Sequence, residues 1–188
     1  MIYIMSDLHG CFDKYLMMLD QIGLKAEDTL YVLGDVVDRG PDGIKILLDM
    51  YERENVIFLR GNHDQSAMKV LRCMFDSSAY LWQSKTFVEI EVNGAEYLIA
   101  HTVPEKEIML EKGKLTLDDY IFGEPDYELT YFDDKIIVTG HTPTGLIDKS
   151  YEGKIYIKNN HIAVDCGAVF EDGRLGCICL DTMKEYYV

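Results

Sequence analysis

Three times within its first hundred residues the chain runs a short β-branched or aromatic stretch into a glycine-containing turn and then into a helical pattern. Met1 to Met5 reads as a strand and Ser6-Asp7-Leu8-His9-Gly10 as the turn after it. Phe12, Leu16, Leu19 and Ile22 then recur at helical spacing. Thr29 to Leu33 reads as a second strand, followed by GDVVDRG at 34–40 and a helix opening at Pro41, a residue suited to a first helical position. Ile44, Leu47, Leu48 and Tyr51 continue that helix at i, i+3, i+4 and i+7. Val56 to Leu59 is the third strand, followed by RGNHD and a helix from about Gln65 to Cys73. Successive βα units with short connections imply a parallel sheet with helices packed on it.

After Trp82 the pattern changes. Phe87–Val92 and Glu96–Ala100 flank Asn93-Gly94, the strongest short hairpin signal. Ile136–Thr139, Lys154–Ile157, Ile162–Asp165 and Leu175–Leu180 predict four further strands. Residues 104 to about 134 are acidic, aromatic and irregular, with a weak helical signal around Leu115–Ile121, and read as an insertion or lid at about 103–135. An early βα half and a late β-rich half predict an α/β fold of two sheets packed face to face with helices outside. The 188 residues, 48% of them hydrophobic, suit one domain over 1–188 with a continuous core.

Charge and cysteines narrow the function. Asp and Glu number 33 against 18 Lys and Arg, a net −15, which opposes DNA, RNA and anionic membranes as partners. The five cysteines (Cys11, Cys73, Cys166, Cys177 and Cys179) are odd in number and form no C-x-x-C pair, so reduced thiols in a cytoplasmic setting are expected. Cys177 and Cys179 share one face of a predicted strand and read as small hydrophobes. The first residues turn acidic too soon for a signal peptide, and no stretch reaches the ~20 apolar residues of a membrane span.

The unusual polar residues fall repeatedly at predicted strand ends. Asp7 and His9 follow the first strand, Asp35 the second, Asn62 and His63 the third; His101 ends the hairpin and His141 follows 136–139. In open α/β sheets, ligands bind outside the carboxyl ends of the strands, so these turns converge on one crevice. Carboxylates, imidazoles and an amide oxygen without thiolate suit Mn²⁺, Fe or Zn²⁺. Six candidate ligands exceed the needs of one catalytic ion. With Asp35 bridging two ions ~3.5–4 Å apart, such a pair clamps a phosphoryl group and acidifies a shared water for attack. His63 is then placed to protonate the leaving oxygen, Asp38 to orient its imidazole and Arg39 to fork onto phosphate oxygens.

DLHG at 7–10, GDVVDRG at 34–40, GNHD at 61–64, His101 and GHT at 140–142 resemble, in order, the five motifs of the calcineurin-like metallophosphoesterases. The DRG form is similar to the branch holding the serine/threonine protein phosphatases, their bacterial and phage relatives, and symmetrical diadenosine tetraphosphatase. The resemblance runs to about residue 181, where VDCGAVFEDGRLGCICLD resembles the closing segment of the bacterial members. It implies a four-layer α/β/β/α sandwich. It also implies one metal on Asp7, His9 and Asp35 and a second on Asp35, Asn62, His101 and His141. His63 becomes the general acid supported by Asp38, and Arg39 the phosphate ligand.

The implied activity is dinuclear, preferentially Mn²⁺-dependent hydrolysis of phosphomonoesters by a metal-bridging hydroxide, as in serine/threonine protein phosphatases. Expected partners are a phosphorylated small molecule, a nucleotide or a phosphoprotein. Two alternatives accompany that reading. One is symmetrical cleavage of bis(5'-nucleosyl) tetraphosphates; the other is a phosphate- or protein-binding module with little turnover. The second phosphate-binding arginine of the branch has no counterpart, because 102–140 contains no arginine, leaving Lys106, Lys112, Lys114 and Lys135 as substitutes. The aromatic residues Tyr120, Phe122, Tyr127, Tyr131 and Phe132 read as a small satellite core in preference to a nucleobase platform, and His161 as structural.

Overall fold

The computed structural model describes residues 1–74, 85–111 and 115–188, with the side chains of 71–74 outside that description, as are Trp82, Lys112 and Lys114. The chain runs β1 (Ile2–Met5), α1 (Phe12–Ile22), β2 (Thr29–Val32), α2 (Gly43–Tyr51), β3 (Val56–Phe58) and α3 (Asn62–Met74). There follow β4 (Phe87–Val92), β5 (Ala95–Ala100), α4 (Lys106–Leu110), α5 (Asp119–Phe122), β6 (Lys135–Thr139) and α6 (Thr144–Ile147). The chain ends with β7 (Tyr156–Lys158), β8 (His161–Ala163), β9 (Gly176–Cys179) and β10 (Lys184–Tyr187).

Two five-stranded mixed sheets result. The first has the order β10-β9-β1-β2-β3, with β1, β2 and β3 parallel and β9 antiparallel to β1. The second has the order β4-β5-β6-β8-β7, with β5, β6 and β8 parallel and the outer pairs antiparallel. Side-chain alternation sorts the layers. Tyr3 and Met5 of β1 face outward onto Tyr15, Met18, Ile46 and Met50 of α1 and α2. Ile4, between them, faces inward and joins Leu33, Ile99, Val138, Ile162 and Ile178 in the core between the sheets. Leu98, Ala100 and Ile137 cover the outer face of the second sheet with Val103, Met109, Tyr120 and Tyr131. The fold is the four-layer α/β/β/α sandwich.

Tyr120, Tyr131 and Phe132 belong to that outer layer, and Tyr127 packs with Tyr156 and Ala163. Phe122 differs, being exposed with the Lys69 ammonium 5.8 Å from its ring centre. Three local differences from the sequence expectations have physical causes. The second helix starts at Gly43, not Pro41, since the Asp42 N–H is drawn to the Gly10 carbonyl and Asp42 itself supplies the acceptor that starts the helix at Ile46. The third helix starts at Asn62, three residues before Gln65, since the Gln65 N–H already bonds the Gly61 carbonyl. The edge strand β10 and the short α4 went unread because Lys184–Tyr187 and Lys106–Leu110 carry no pattern strong enough to announce an element.

Ile178 is fully buried between the sheets. Ile178→Ala removes three buried carbons and leaves a cavity, so unfolding free energy from urea titration is expected to fall by about 2–5 kcal/mol. A loss below about 1 kcal/mol would mean that the two sheets do not share a close-packed core.

Candidate active site

The loops after β1, β2, β3, β5 and β6 meet at one edge of the two sheets. Backbone bonds lace them together: His9 N–H to Asp35 O (2.8 Å), Gly10 N–H to Val36 O (2.9 Å) and Gly140 N–H to His101 O (3.0 Å). Asp7, His9, Asp35, Asp38, Arg39 and His141 all have left-handed backbone, with φ between 41° and 72°. They are six of the ten non-glycine residues in that region among the described residues. Each such conformation costs about 1–3 kcal/mol, so the surrounding bonds hold these side chains against their own preference. Gly61 and Gly140 permit the crowding, because a Cβ on either would overlap the carboxylate of Asp35 or Asp7 respectively.

One cluster forms around Asn62 Oδ1. It lies 2.8 Å from His101 Nε2 and 3.1 Å from His141 Nδ1, and the two ring nitrogens are 3.0 Å apart. Asp35 Oδ1 stands 3.6 Å from the same His101 nitrogen. His101 Nδ1 lies 2.6 Å from the Leu33 carbonyl, which can only accept, so that nitrogen carries the proton and Nε2 presents a lone pair. Acceptors therefore face one another at hydrogen-bond distance, and a proton on His141 could satisfy only one contact. Such a donor set fits a divalent cation.

Beside it, His9 Nε2 lies 4.0 Å from Asp7 Oδ1 and 3.7 Å from Asp35 Oδ2, while His9 Nδ1 faces the Val37 carbonyl at 3.3 Å. By distance alone His9, Asp35 and His63 also form a triplet. Its chemistry is less suited to a cation, because Arg39 Nη2 donates to His63 Nε2 at 3.3 Å and brings a positive charge to that nitrogen. His63 Nδ1 donates to Asp38 Oδ2 at 2.7 Å. All nine residues singled out from the sequence thus lie in one crevice, and seven of them line, with Asp165 and Phe170, a cavity of about 210 Å³. His101 lies beneath it, fully buried, and Asp38 sits on the rim.

Electrostatics tell how heavily the crevice is loaded. Burial, then repulsion from Asp165 and Asp35, pushes the Asp7 carboxyl well above the usual range. Burial and the neighbouring Asp64 raise Asp35 to about 8. Burial, then the Arg39 charge, lowers His9 to about 4, and burial lowers His101 and His141, keeping all three imidazoles in the neutral form that ligates metals. The backbone N–H of Arg39, then His63, holds Asp38 below its usual value.

Two buried acids escaped the sequence reading. Asp64 accepts the N–H groups of Asp35 (2.7 Å), Val36 (3.1 Å), Val37 (3.3 Å) and Gly61 (3.0 Å), gripping the loops that carry Asp35 and Asn62. Asp165 borders the crevice and accepts the Gly167 N–H at 2.8 Å. It ends a predicted strand just as Asp7 and Asp35 do, a signal that was open to the same rule. Of the lysines suggested as substitutes, the two among the described residues lie elsewhere: Lys106 Nζ bonds the Thr130 carbonyl at 2.5 Å and Lys135 pairs with Glu89 at 2.6 Å. His161 is buried against Thr139, away from the crevice.

In the cation-free protein the signs of these shifts work in opposite directions. Lowered imidazoles (ordinary value 6.5) give stability that grows up to about pH 6.5, while raised carboxyls (ordinary value 3.8) remove stability as pH climbs toward their folded values. Above pH 6.5 only the highest carboxyls still titrate, so the melting temperature of metal-free protein is expected to fall between pH 6.5 and about 8. Saturating Mn²⁺ is expected to abolish that fall. A melting temperature that rises over this interval would contradict the charge loading described.

A family model described as calcineurin-like phosphoesterase matches residues 1–170. A symmetrical bis(5'-nucleosyl)-tetraphosphatase of Wigglesworthia glossinidia brevipalpis is 36% identical over 64 residues, 33% of this chain and 24% of that protein. The chain thus matches only about a quarter of that relative's length. An asymmetrical bis(5'-nucleosyl)-tetraphosphatase of Bacillus velezensis is 25% identical over 218 aligned positions, 89% of this chain and 84% of that protein. Among solved structures, one provisionally named a diadenosine tetraphosphatase superposes with a TM-score of 0.73 at 20% identity, over 100% of this chain and 92% of the other, a likeness of fold.

Proposed function

This chain belongs to the calcineurin-like phosphoesterases, and on that premise we propose that it is a dinuclear metal-dependent hydrolase of nucleotide phosphoanhydrides, with bis(5'-nucleosyl) tetraphosphates as its substrate class. The observation that carries the hydrolase reading is Asp35, whose two oxygens face opposite ligand sets, Oδ1 toward His101 and Oδ2 toward His9. One cation is assigned to Asp7, His9 and Asp35, and the other to Asp35, Asn62, His101 and His141, with Mn²⁺ as the favoured ion. Bound there, divalent cations supply Lewis acidity toward phosphoryl oxygens and acidify water at neutral pH.

The remaining work falls to the chain's own groups. Arg39 engages phosphate oxygens with its planar guanidinium. His63, its Nδ1–H held by Asp38, carries a proton on Nε2 to the leaving oxygen. Arg39 donates to that nitrogen here, so substrate phosphate first takes the guanidinium over, and Nε2 then takes up from solvent the proton it delivers. Asp64 keeps the two loops in register through its four backbone donors. Within the lid segment at 103–135, the stretch Glu124–Glu128 borders His141; we assign the whole chain to one domain and to the cytoplasm, in keeping with the free thiols of Cys11, Cys166, Cys177 and Cys179. No helix among the described residues is long and apolar enough to cross a membrane.

Relatives named tetraphosphatases support the nucleotide reading over the serine/threonine protein phosphatase reading that the sequence favours. The complete ligand set and the intact His63–Asp38 pair speak against a binding module without turnover. A panel of phosphopeptides, mononucleotides and diadenosine tetraphosphate at fixed Mn²⁺ tests this. Turnover is expected to be fastest on the tetraphosphate, giving two ADP or ATP plus AMP; preference for phosphopeptides would overturn the assignment. His63→Ala is expected to lower kcat about 10²–10⁴-fold with metal content unchanged, and loss of metal from that variant would instead make His63 a ligand.

A further inference from the structure

Next to the metal crevice lies a second cavity of about 330 Å³. The two share Pro143, Leu146, Gly167 and Phe170, so they are neighbouring chambers with Leu146 and Phe170 on their common border. Both are large apolar groups left substantially exposed, Phe170 at 53% and Leu146 at 79%. Neither belongs to a hydrophobic cluster formed among the described residues, so those clusters do not account for them.

The loop bearing Phe170 is built to stay still. Asp165 Oδ1 takes the Gly167 N–H, Phe170 N–H bonds the Gly167 carbonyl at 2.9 Å, and Gly173 N–H bonds the Phe170 carbonyl at 3.0 Å. Arg174 N–H closes the loop on the Cys166 carbonyl at 3.2 Å. From α1, Lys14 Nζ reaches in and bonds the carbonyls of Ala168 (2.6 Å) and Gly173 (2.8 Å) together. A flat aromatic ring on a clamped backbone presents its face at little entropic cost.

We propose that this chamber is the nucleoside subsite, with Phe170 as the stacking face for a nucleobase and Leu146 closing its other side, an inference that rests on reading the metal crevice as a phosphoesterase centre. The volume stands at the lower end of the about 300–1,000 Å³ of small-ligand pockets, room for one nucleoside and not two. Charge selects the same part of the substrate. Glu152, Glu171 and Asp172 line the chamber and Lys149 is neutralised by Glu152 at 2.6 Å, so phosphates are repelled from it while a neutral base and ribose are not. Carboxylates there accept hydrogen bonds from ribose hydroxyls or an exocyclic amine. Lys14 is a positioning residue that acts through the loop.

The test compares AMP with ribose 5-phosphate, in which a hydroxyl takes the place of the base, on the full chain, by titration calorimetry with Mn²⁺ and by saturation-transfer NMR with diamagnetic Mg²⁺. AMP is expected to bind at least about fivefold tighter, the lower end for base–aromatic stacking, with saturation transfer strongest at the base protons. In Phe170→Ala the ratio of the two affinities is expected to drop to about one, and Phe170→Trp to restore it. Lys14→Met is expected to weaken AMP and leave ribose 5-phosphate unmoved. Equal affinities in the wild type, or a ratio untouched by Phe170→Ala, would overturn the subsite. A base preference that depends on Phe170 in a protein that fails to cleave diadenosine tetraphosphate would uphold the subsite and overturn only the substrate class proposed above.

Discussion

Asp35 is the contact on which the rest of the crevice depends. Its backbone N–H is held by Asp64, its Oδ1 accepts the His63 N–H at 3.0 Å, and its oxygens stand within 3.8 Å of His9, His63 and His101. One carboxylate thus touches the loops after β1, β2, β3 and β5. It is 2% exposed and sits at φ 52°, so the fold buries a charge in a conformation the residue does not prefer. Nothing about sheet packing requires this. A positive charge at the same spot would offset the cost of burial, since it lowers the raised carboxyl and fills the space between lone pairs.

The sandwich supplies the rigidity that such an arrangement needs. Ile4, Leu33 and Ile178 of the first sheet meet Ile99, Val138 and Ile162 of the second, and the loops leave from strand ends anchored in that core. Asp7 follows Met5 by two residues and His101 follows Ala100 by one, so neither has slack. Buried side chains on short tethers hold their geometry, which is what electrostatic preorganisation at the proposed site demands. The exposed side of the crevice is different in character: Asp38, Arg39 and His63 are reached by solvent, as the proton transfer and phosphate binding proposed for them require.

Much of this was legible in the residues. The rhythm of strand, glycine turn and helix located the three parallel strands of the first sheet, and the rule that ligands gather outside carboxyl strand ends placed Asp7, His9, Asp35, Asn62, His63, His101 and His141 on one side. What stayed hidden has physical reasons. Asp64 acts on four backbone N–H groups of two loops distant in sequence, a role with no periodic or compositional trace. Phe170 lies in a loop whose form comes from Lys14, more than 150 residues earlier. Pattern reading recovers contacts within an element and at its ends; clamps between remote loops appear only once the chain is folded.

The claim that one carboxylate serves two cations is open to a direct spectroscopic measurement. Two Mn²⁺ ions sharing Asp35 are magnetically exchange-coupled, so electron paramagnetic resonance of the saturated protein should show a coupled dinuclear signal at two ions per chain, replaced in Asp35→Ala by isolated-ion spectra or by loss of metal. A wild-type protein that saturates at one ion, or that binds two giving only isolated-ion spectra, would contradict the account.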